Sequence, residues 1–332
     1  MGLGKKYCLD DLKSGVTTVR AVGGVHNFDT KLRNKINKGK VLGPRLFVCN
    51  SAIATPGGHM EGTVAVAVTN EEEAIKQVHI LITQKVDLIK IMVTGGVLDA
   101  TRPGEPGVLR MPPELVKVIC DEAHKNGLKV AAHAEGNEGV RVAIENGVDS
   151  IEHGADIPDD LIEIMRKNND CLVCTLSPAV PLAILSEDRT GCNDIVQLNT
   201  YAVFHRMVAG TRNALRNHIP VGVGTDTGSP FVTHYNFYRE LVWFQNIYGV
   251  TNAFALSTAT KIIAWVEALP AITRSICNTA YSDRGLSWTE EIDIITDQVY
   301  NDIPSLVLPE KKDDVLVITN THTPETVTIK GV

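Results

Sequence analysis

The run Val86-Asp87-Leu88-Ile89-Lys90-Ile91-Met92-Val93 is apolar on both sides of a single lysine. Such a run suits a strand buried on both faces, as in a parallel sheet covered by helices. Lysine is almost never fully buried unless it is paired. Lys90 therefore either meets an acid at the strand end, or loses its proton in low dielectric and stands as a free amine. A free amine reacts with carbon dioxide to give a carbamate, which is an anionic oxygen ligand for metals.

Later runs share the pattern. Lys129-Val130-Ala131-Ala132-His133 and Asp149-Ser150-Ile151-Glu152-His153 end in histidine, and Pro220-Val221-Gly222-Val223-Gly224-Thr225-Asp226 ends in aspartate. Lys90, His133, His153 and Asp226 thus stand near the C-terminal ends of short apolar runs, with helical sequence between them. The C-terminal ends of the strands in a β/α barrel converge on one mouth. Imidazole and carboxylate oxygen suit zinc, manganese or iron. A lone buried histidine is ordinarily a hydrogen-bonded core residue. Two histidines, an aspartate and a lysine at one phase of successive units instead predict a shared divalent metal site.

Parallel-strand candidates lie at Val16–Val22, Arg45–Cys49, Asp87–Met92, Lys129–His133, Asp149–His153, Cys171–Leu176 and Ile219–Gly224. Helical patterns cover Pro112–Asn126, Asn137–Asn146, Asp159–Asn168 and Cys192–Asn217. Strand alternating with helix means a parallel α/β architecture. The 332 residues suffice for one large barrel and a small appendage. The barrel is expected over residues 1–261. Residues 262–332 are expected to hold a helical segment, Ile262–Cys277, and two short strands, Asp314–Thr319 and Glu325–Lys330.

Net charge is −7, and no Lys/Arg block is dense enough to follow a phosphate backbone, which argues against nucleic acid. No apolar stretch reaches the length of a membrane span, and Met1-Gly2-Leu3-Gly4-Lys5-Lys6 lacks the apolar core of a signal peptide. The 7 cysteines are odd in number and scattered, which favours a reducing, cytoplasmic setting. Cys171 and Cys174 form a CxxC, but in a strand positions three apart face opposite sides, so the pair is not expected to bind metal or cycle a disulfide.

Several segments, taken in order, resemble the amidohydrolase superfamily, in its branch of imidazolonepropionase-like and Xaa-Pro dipeptidase-like hydrolases. They include Ser14-Gly15-Val16-Thr17-Thr18-Val19-Arg20, Gly43-Pro44-Arg45-Leu46, Gly57-Gly58-His59, Ile89-Lys90-Ile91-Met92, Ala132-His133-Ala134, Ser150-Ile151-Glu152-His153-Gly154 and Gly224-Thr225-Asp226-Thr227-Gly228. The resemblance runs from about Ser14 to Lys261. It implies a TIM-like (β/α)8 barrel with one or two divalent metals, zinc foremost. It implies hydrolysis of an amide-type C–N bond, in a dipeptide or cyclic amide, by a metal-activated water. Lys90 would be the carboxylated bridging ligand, His133 and His153 would hold the second metal, and Asp226 would bind the first metal and act as general base. His59 and His234 fall where the family places substrate-facing groups.

Two departures stand out. The family carries a His-x-His pair on strand one, and this sequence has no His-x-His anywhere. The barrel is therefore expected to be incomplete, with strands two to eight, and its open edges predict self-association into homo-oligomers. Trp265–Glu310 also leaves the family pattern, which Asp314-Val315-Leu316-Val317 rejoins. A truncated, catalytically inactive barrel with a partial metal site is the alternative. A barrel lyase with Lys90 as Schiff-base amine is a third reading, but it has no need of two strand-end histidines and an aspartate.

Overall fold

The computed structural model describes residues 2–185, 187–230 and 232–262, together with Val315–Thr319 and Thr326–Lys330. The chain starts with helix α1 (Gly2–Lys13), strand β1 (Thr18–Ala21), helix α2 (Phe28–Asn37) and strand β2 (Arg45–Val48). Short strands β3 (Ala52–Ala54) and β4 (Ala65–Ala67) precede α3 (Glu71–Thr83) and β5 (Leu88–Met92). Next come α4 (Pro113–Lys125), β6 (Lys129–Ala134), α5 (Asn137–Glu145), β7 (Ser150–His153), α6 (Asp159–Asn168) and β8 (Cys171–Cys174). Helices α7 (Leu176–Ile184), α8 (Glu187–Thr190) and α9 (Asp194–Arg216) lead to β9 (Val221–Val223), then α10 (Tyr238–Tyr248) and α11 (Asn252–Ser257). Strands β10 (Val315–Thr319) and β11 (Thr326–Lys330) pair with each other, antiparallel.

Seven strands form one parallel sheet in the order β4-β3-β5-β6-β7-β8-β9. A parallel wall of this kind with helices packed outside it is a partial β/α barrel. Alternation along each strand sorts the side chains. Ile89 and Ile91 of β5 join the main core with Ile119 of α4, Ile144 of α5 and Leu161 of α6. Leu88 and Met92 face the other way, into separate small clusters with Ala131 and Ala54 respectively. Lys90 shares that inner phase and is 2% exposed. The register sets Met92 beside His133, and Ala134 beside His153.

The helices have local causes. Pro112 and Pro113 start α4, whose buried face is Leu115, Val116, Ile119, Cys120 and Ala123. Gly127 ends that turn with φ +74°, a conformation that costs glycine little. Helix α6 has Asp159 and Asp160 in its first turn and Arg166 and Lys167 in its last, matching the helix dipole.

The structure revises the strand inventory. Val16–Val22 and Arg45–Cys49 do contain strands, but β1 and β2 form their own parallel pair. Two strands that periodicity missed, Ala52-Ile53-Ala54 and Ala65-Val66-Ala67, take places in the main sheet. Three-residue alanine strands are too short to show an alternation. A bond from the Asp87 N–H to the Val48 carbonyl, 2.8 Å, carries the wall from β2 to β5. The segment 176–194 contains α7 and α8. Glu240 caps the start of α7, accepting from Leu176 N at 2.8 Å and Ser177 N at 2.7 Å. The expected helix Ile262–Cys277 lies, beyond Ile262, outside the described residues, as does Cys277. None of the six described cysteines, Cys171 and Cys174 among them, is in a disulfide. Among the described residues no helix is long and apolar enough to cross a membrane.

Asp170 makes stability depend on pH. It is 3% exposed, just before β8. Burial pushes its carboxyl up to about 8, against a weak opposing bond from Asn168. In the unfolded chain an aspartate titrates near 3.9. Between about 4 and 8 the folded protein therefore holds a proton that the unfolded chain has released, and its stability falls as pH rises through that window. Asp170→Asn removes this slope. Urea midpoints at pH 5 and pH 8 should fall less in the variant than in the wild type, and an equal fall would refute the assignment.

Candidate metal centre

His133 and His153 come together because β6 and β7 are adjacent and end at the same level. Their ring centroids are 4.9 Å apart, with planes at 71°. Each ring is held by one nitrogen. His133 Nε2 donates to the Gly95 carbonyl at 3.0 Å, and His153 Nδ1 bonds the Thr175 hydroxyl at 2.7 Å. That leaves His133 Nδ1 and His153 Nε2 as the unengaged nitrogens, and fixing the far nitrogen is how proteins orient metal-binding imidazoles. Burial drives both rings toward the neutral form. His153 is pushed down to about 4, and His133 lies well below the usual imidazole value.

His153 has φ +67° and Asp226 has φ +48°. Non-glycine residues in this region are strained, and such residues cluster at functional sites. For His153 the turn redirects the chain as it leaves the strand. Asp226 lies beyond β9 and is exposed, and its Oδ2 accepts from the Ser229 hydroxyl at 2.8 Å.

Lys90 lies in the same neighbourhood. Burial lowers its pKa, while Glu152 and Asp226 oppose the shift. Lys90 and Asp226 in turn act on His153. The four side chains read from the strand ends are thus electrostatic neighbours at one mouth. His59 is there too. Its ring stacks on His133 with centroids 4.3 Å apart, and its Nδ1 meets Asp99 Oδ1 at 2.8 Å. Gly96 makes room for it, since a Cβ there would stand 2.1 Å from the ring. His234 is placed differently. It stacks on Tyr7 of α1 and bonds Asp11 at 3.0 Å, so it faces the N-terminal helix.

Three groups at the site escaped the sequence reading. Glu135 follows His133 by two positions, and strand periodicity keeps such residues on one face, so the His133-Ala134-Glu135 spacing was the available signal. Its Oε2 is 3.9 Å from His133 Nε2, is buried, and has no hydrogen-bond partner. Burial foremost, and then Asp226, raises its carboxyl to about 8. Donor atoms of His133, Glu135 and His153 lie within 4.8 Å of one another. Two oriented neutral imidazoles beside an orphaned carboxylate fit a divalent cation of the zinc type.

The other two are Arg20 and Glu152. Arg20 reaches Glu152 at 2.9 and 2.8 Å and Ser150 at 3.0 Å, and Ser150 also donates to Glu152 at 2.7 Å. Their side chains are 7% and 3% exposed. Burial raises the Glu152 pKa, but Arg20 and then Lys90 outweigh it and hold the carboxyl below its ordinary value.

A family model described as the amidohydrolase family matches residues 3–269. The chain is 25% identical over 260 residues to the ochratoxinase of Aspergillus niger, an alignment covering 70% of this chain and 52% of that protein. The chain therefore spans about half the length of that curated relative. Among solved structures, a candidate prolidase from Bifidobacterium longum superposes with TM-score 0.74 and 39% identity, over 80% of this chain and 65% of that one. A Xaa-Pro dipeptidase with methionine bound in its active site superposes with TM-score 0.70 and 28% identity, over 80% of this chain and 68% of that one.

The buried ion pair makes a stability prediction. Arg20→Met strands the Glu152 charge and should cost about 3–5 kcal/mol. Adding Glu152→Leu should recover much of that loss, because an apolar pair replaces an ionic one. Urea unfolding of the wild type, the single and the double variant measures both. A double variant no better than the single one would show that the charges are not coupled.

Proposed function

The chain belongs to the amidohydrolase family, and on that premise we propose that it is a metal-dependent hydrolase of amide-type C–N bonds, in dipeptides or cyclic amides. The observation that carries the proposal is the buried, unpartnered Glu135 carboxylate oxygen beside His133 and His153. A polar atom in that state is costly unless something arrives to meet it.

His133 and His153 would hold the metal with Glu135 Oε2 in reach of it, and Lys90 would be a further ligand once its amine is carboxylated. When bound, the metal polarises the scissile carbonyl and makes an attacking water more acidic. The rest falls to the chain's own side chains. The neutral imidazoles keep their lone pairs available near pH 7, because burial disfavours their protonated forms. The Asp226 carboxylate takes a proton from the attacking water and delivers it to the leaving amine. His59, held by Asp99, turns its other nitrogen to the substrate and, when protonated, donates to the carbonyl oxygen as charge builds there. The sequence contains no His-x-His pair, so a single metal on the His133/His153 side is the proposed stoichiometry.

Metal analysis after loading with zinc and bicarbonate should find about one zinc per chain. His133→Ala and His153→Ala should each abolish tight binding, since three protein ligands hold a catalytic zinc and two hold it weakly. Asp226→Asn should keep the metal yet lower kcat by about a hundredfold or more on any amide substrate. Retention of zinc by both histidine variants would remove the metal assignment. Bound zinc without turnover of any amide would favour the inactive-barrel reading.

A further inference from the structure

Thr175 stands at the N-cap of α7, directly after β8, yet its side chain makes no cap bond to that helix. Threonine ordinarily caps by accepting from the backbone N–H two or three positions on. Here neither donor is open to it. Position 178 is proline, which has no N–H. The Ser177 N–H is already met by Glu240 Oε2 at 2.7 Å, and the Leu176 N–H by Oε1 at 2.8 Å. The Thr175 hydroxyl turns instead to the metal centre, where it bonds His153 Nδ1 at 2.7 Å.

Glu240 comes from far along the chain. It lies in the first turn of α10 and is 0% exposed, and both of its oxygens go to α7. One carboxylate thus faces two helix N-termini, where negative charge is favoured. Burying a carboxylate is costly unless it is hydrogen-bonded, and the two α7 N–H groups meet that need. The dependence runs the other way too. Without Glu240 the Ser177 N–H loses its acceptor, which is unfavourable in a buried position. Thr175 and Ser177 are both buried, so water is poorly placed to substitute. The hydroxyl of Thr175 is the acceptor that an N-cap places within reach. In the rotamer that meets His153 this hydroxyl makes no bond to the helix, so the two duties call for different rotamers. His153 then pays the consequence. For its Nε2 to keep a lone pair for a cation, Nδ1 must hold the proton and donate it, and an acceptor kept for that bond fixes both tautomer and ring plane.

We propose that Glu240 is a positioning residue for the metal centre: by capping α7 from α10 it reserves the Thr175 hydroxyl for His153, and so keeps the His153 ring set with Nε2 toward the cation. The inference rests on reading His153 as a metal ligand, and its first readout does not need the metal.

That readout is the His153 tautomer in the metal-free full chain, from long-range proton–nitrogen NMR of histidine-labelled protein, with His153→Gln assigning the signal. The wild type should hold its proton on Nδ1. Thr175→Val removes the hydroxyl, and Glu240→Gln replaces one of the two acceptor oxygens by a donor. Each should turn the fixed tautomer into a mixture. Thr175→Ser keeps the hydroxyl and should retain the wild-type form. Glu240→Asp keeps the charge but is one methylene short, and should fall between. The second readout is zinc affinity, by competition with a chelator. Partners that orient metal-binding histidines are worth about 10–100-fold in affinity, so Thr175→Val should weaken zinc binding within that range and Glu240→Gln by about tenfold. The double variant should bind no more weakly than Thr175→Val alone, because one residue acts through the other. Ile119→Val, a core change on α4, should leave the affinity as it is. A merely structural role for Glu240 predicts losses that multiply in the double variant and a loss in Ile119→Val as well. Either of those results, or a His153 tautomer unmoved by both Glu240 variants, would overturn the positioning role. A tautomer that follows Glu240 in a chain that binds no zinc would uphold that role and sink the metal reading. Zinc held as tightly by both Glu240 variants as by the wild type would do the reverse.

Discussion

The ion pair between Arg20 and Glu152 is the interaction on which the interior depends. It joins β1 to β7, 132 positions apart in sequence, and so ties the separate two-stranded pair to the main sheet. It also sets the electrostatics around Lys90. Glu152 is the strongest charge acting to keep Lys90 protonated, yet both of its oxygens are already engaged by Arg20, with Ser150 on one of them. Burial then dominates, and the lysine shifts toward the free amine. A buried pair gives little net stability when intact, but it is costly to break. The pair's clearer consequence here is the charge state of its neighbour.

The mouth of the barrel follows one rule throughout. Burial pushes each ionisable group toward its neutral form, and specific partners decide which groups escape. Glu152 stays ionised because Arg20 and Lys90 outweigh its burial. Glu135 has no such close partner and is raised to about 8. His133 and His153 are both driven neutral. A site left with two neutral imidazoles, an unpartnered carboxyl and a deprotonation-prone amine is short of positive charge. A nearby positive charge, Arg206, opposes the upward shift of Glu135 without cancelling it. A cation at the imidazoles would answer that shortage.

Strain and close packing keep these groups aimed. His153 and Asp226 both sit at positive φ, and neither is the glycine that such a turn would favour. The glycines stand instead where backbone or ring must come near, at Gly96 under His59 and at Gly136 against Gly107. A side chain at either position would displace the element that borders the site.

Much of this was open to reading from one dimension. Apolar runs alternating with helical patterns gave the parallel α/β architecture, because burial on both faces leaves an unbroken hydrophobic signature. The proximity of Lys90, His133, His153 and Asp226 was legible because parallel strands bring their C-terminal ends to one side whatever the details of packing. Distances and partners lay beyond that reading. Nothing local marked Arg20 as the partner of Glu152, since ion pairs across a barrel depend on closure and register. Periodicity could not reveal β3 and β4, which are too short to alternate, or turn His234 toward Asp11 and Tyr7 of α1. Arg206 read as one more charged residue on a long helix. Only the tertiary packing of α9 over the loop at Gly107 buried its nitrogens, because sequence periodicity does not say which elements pack together.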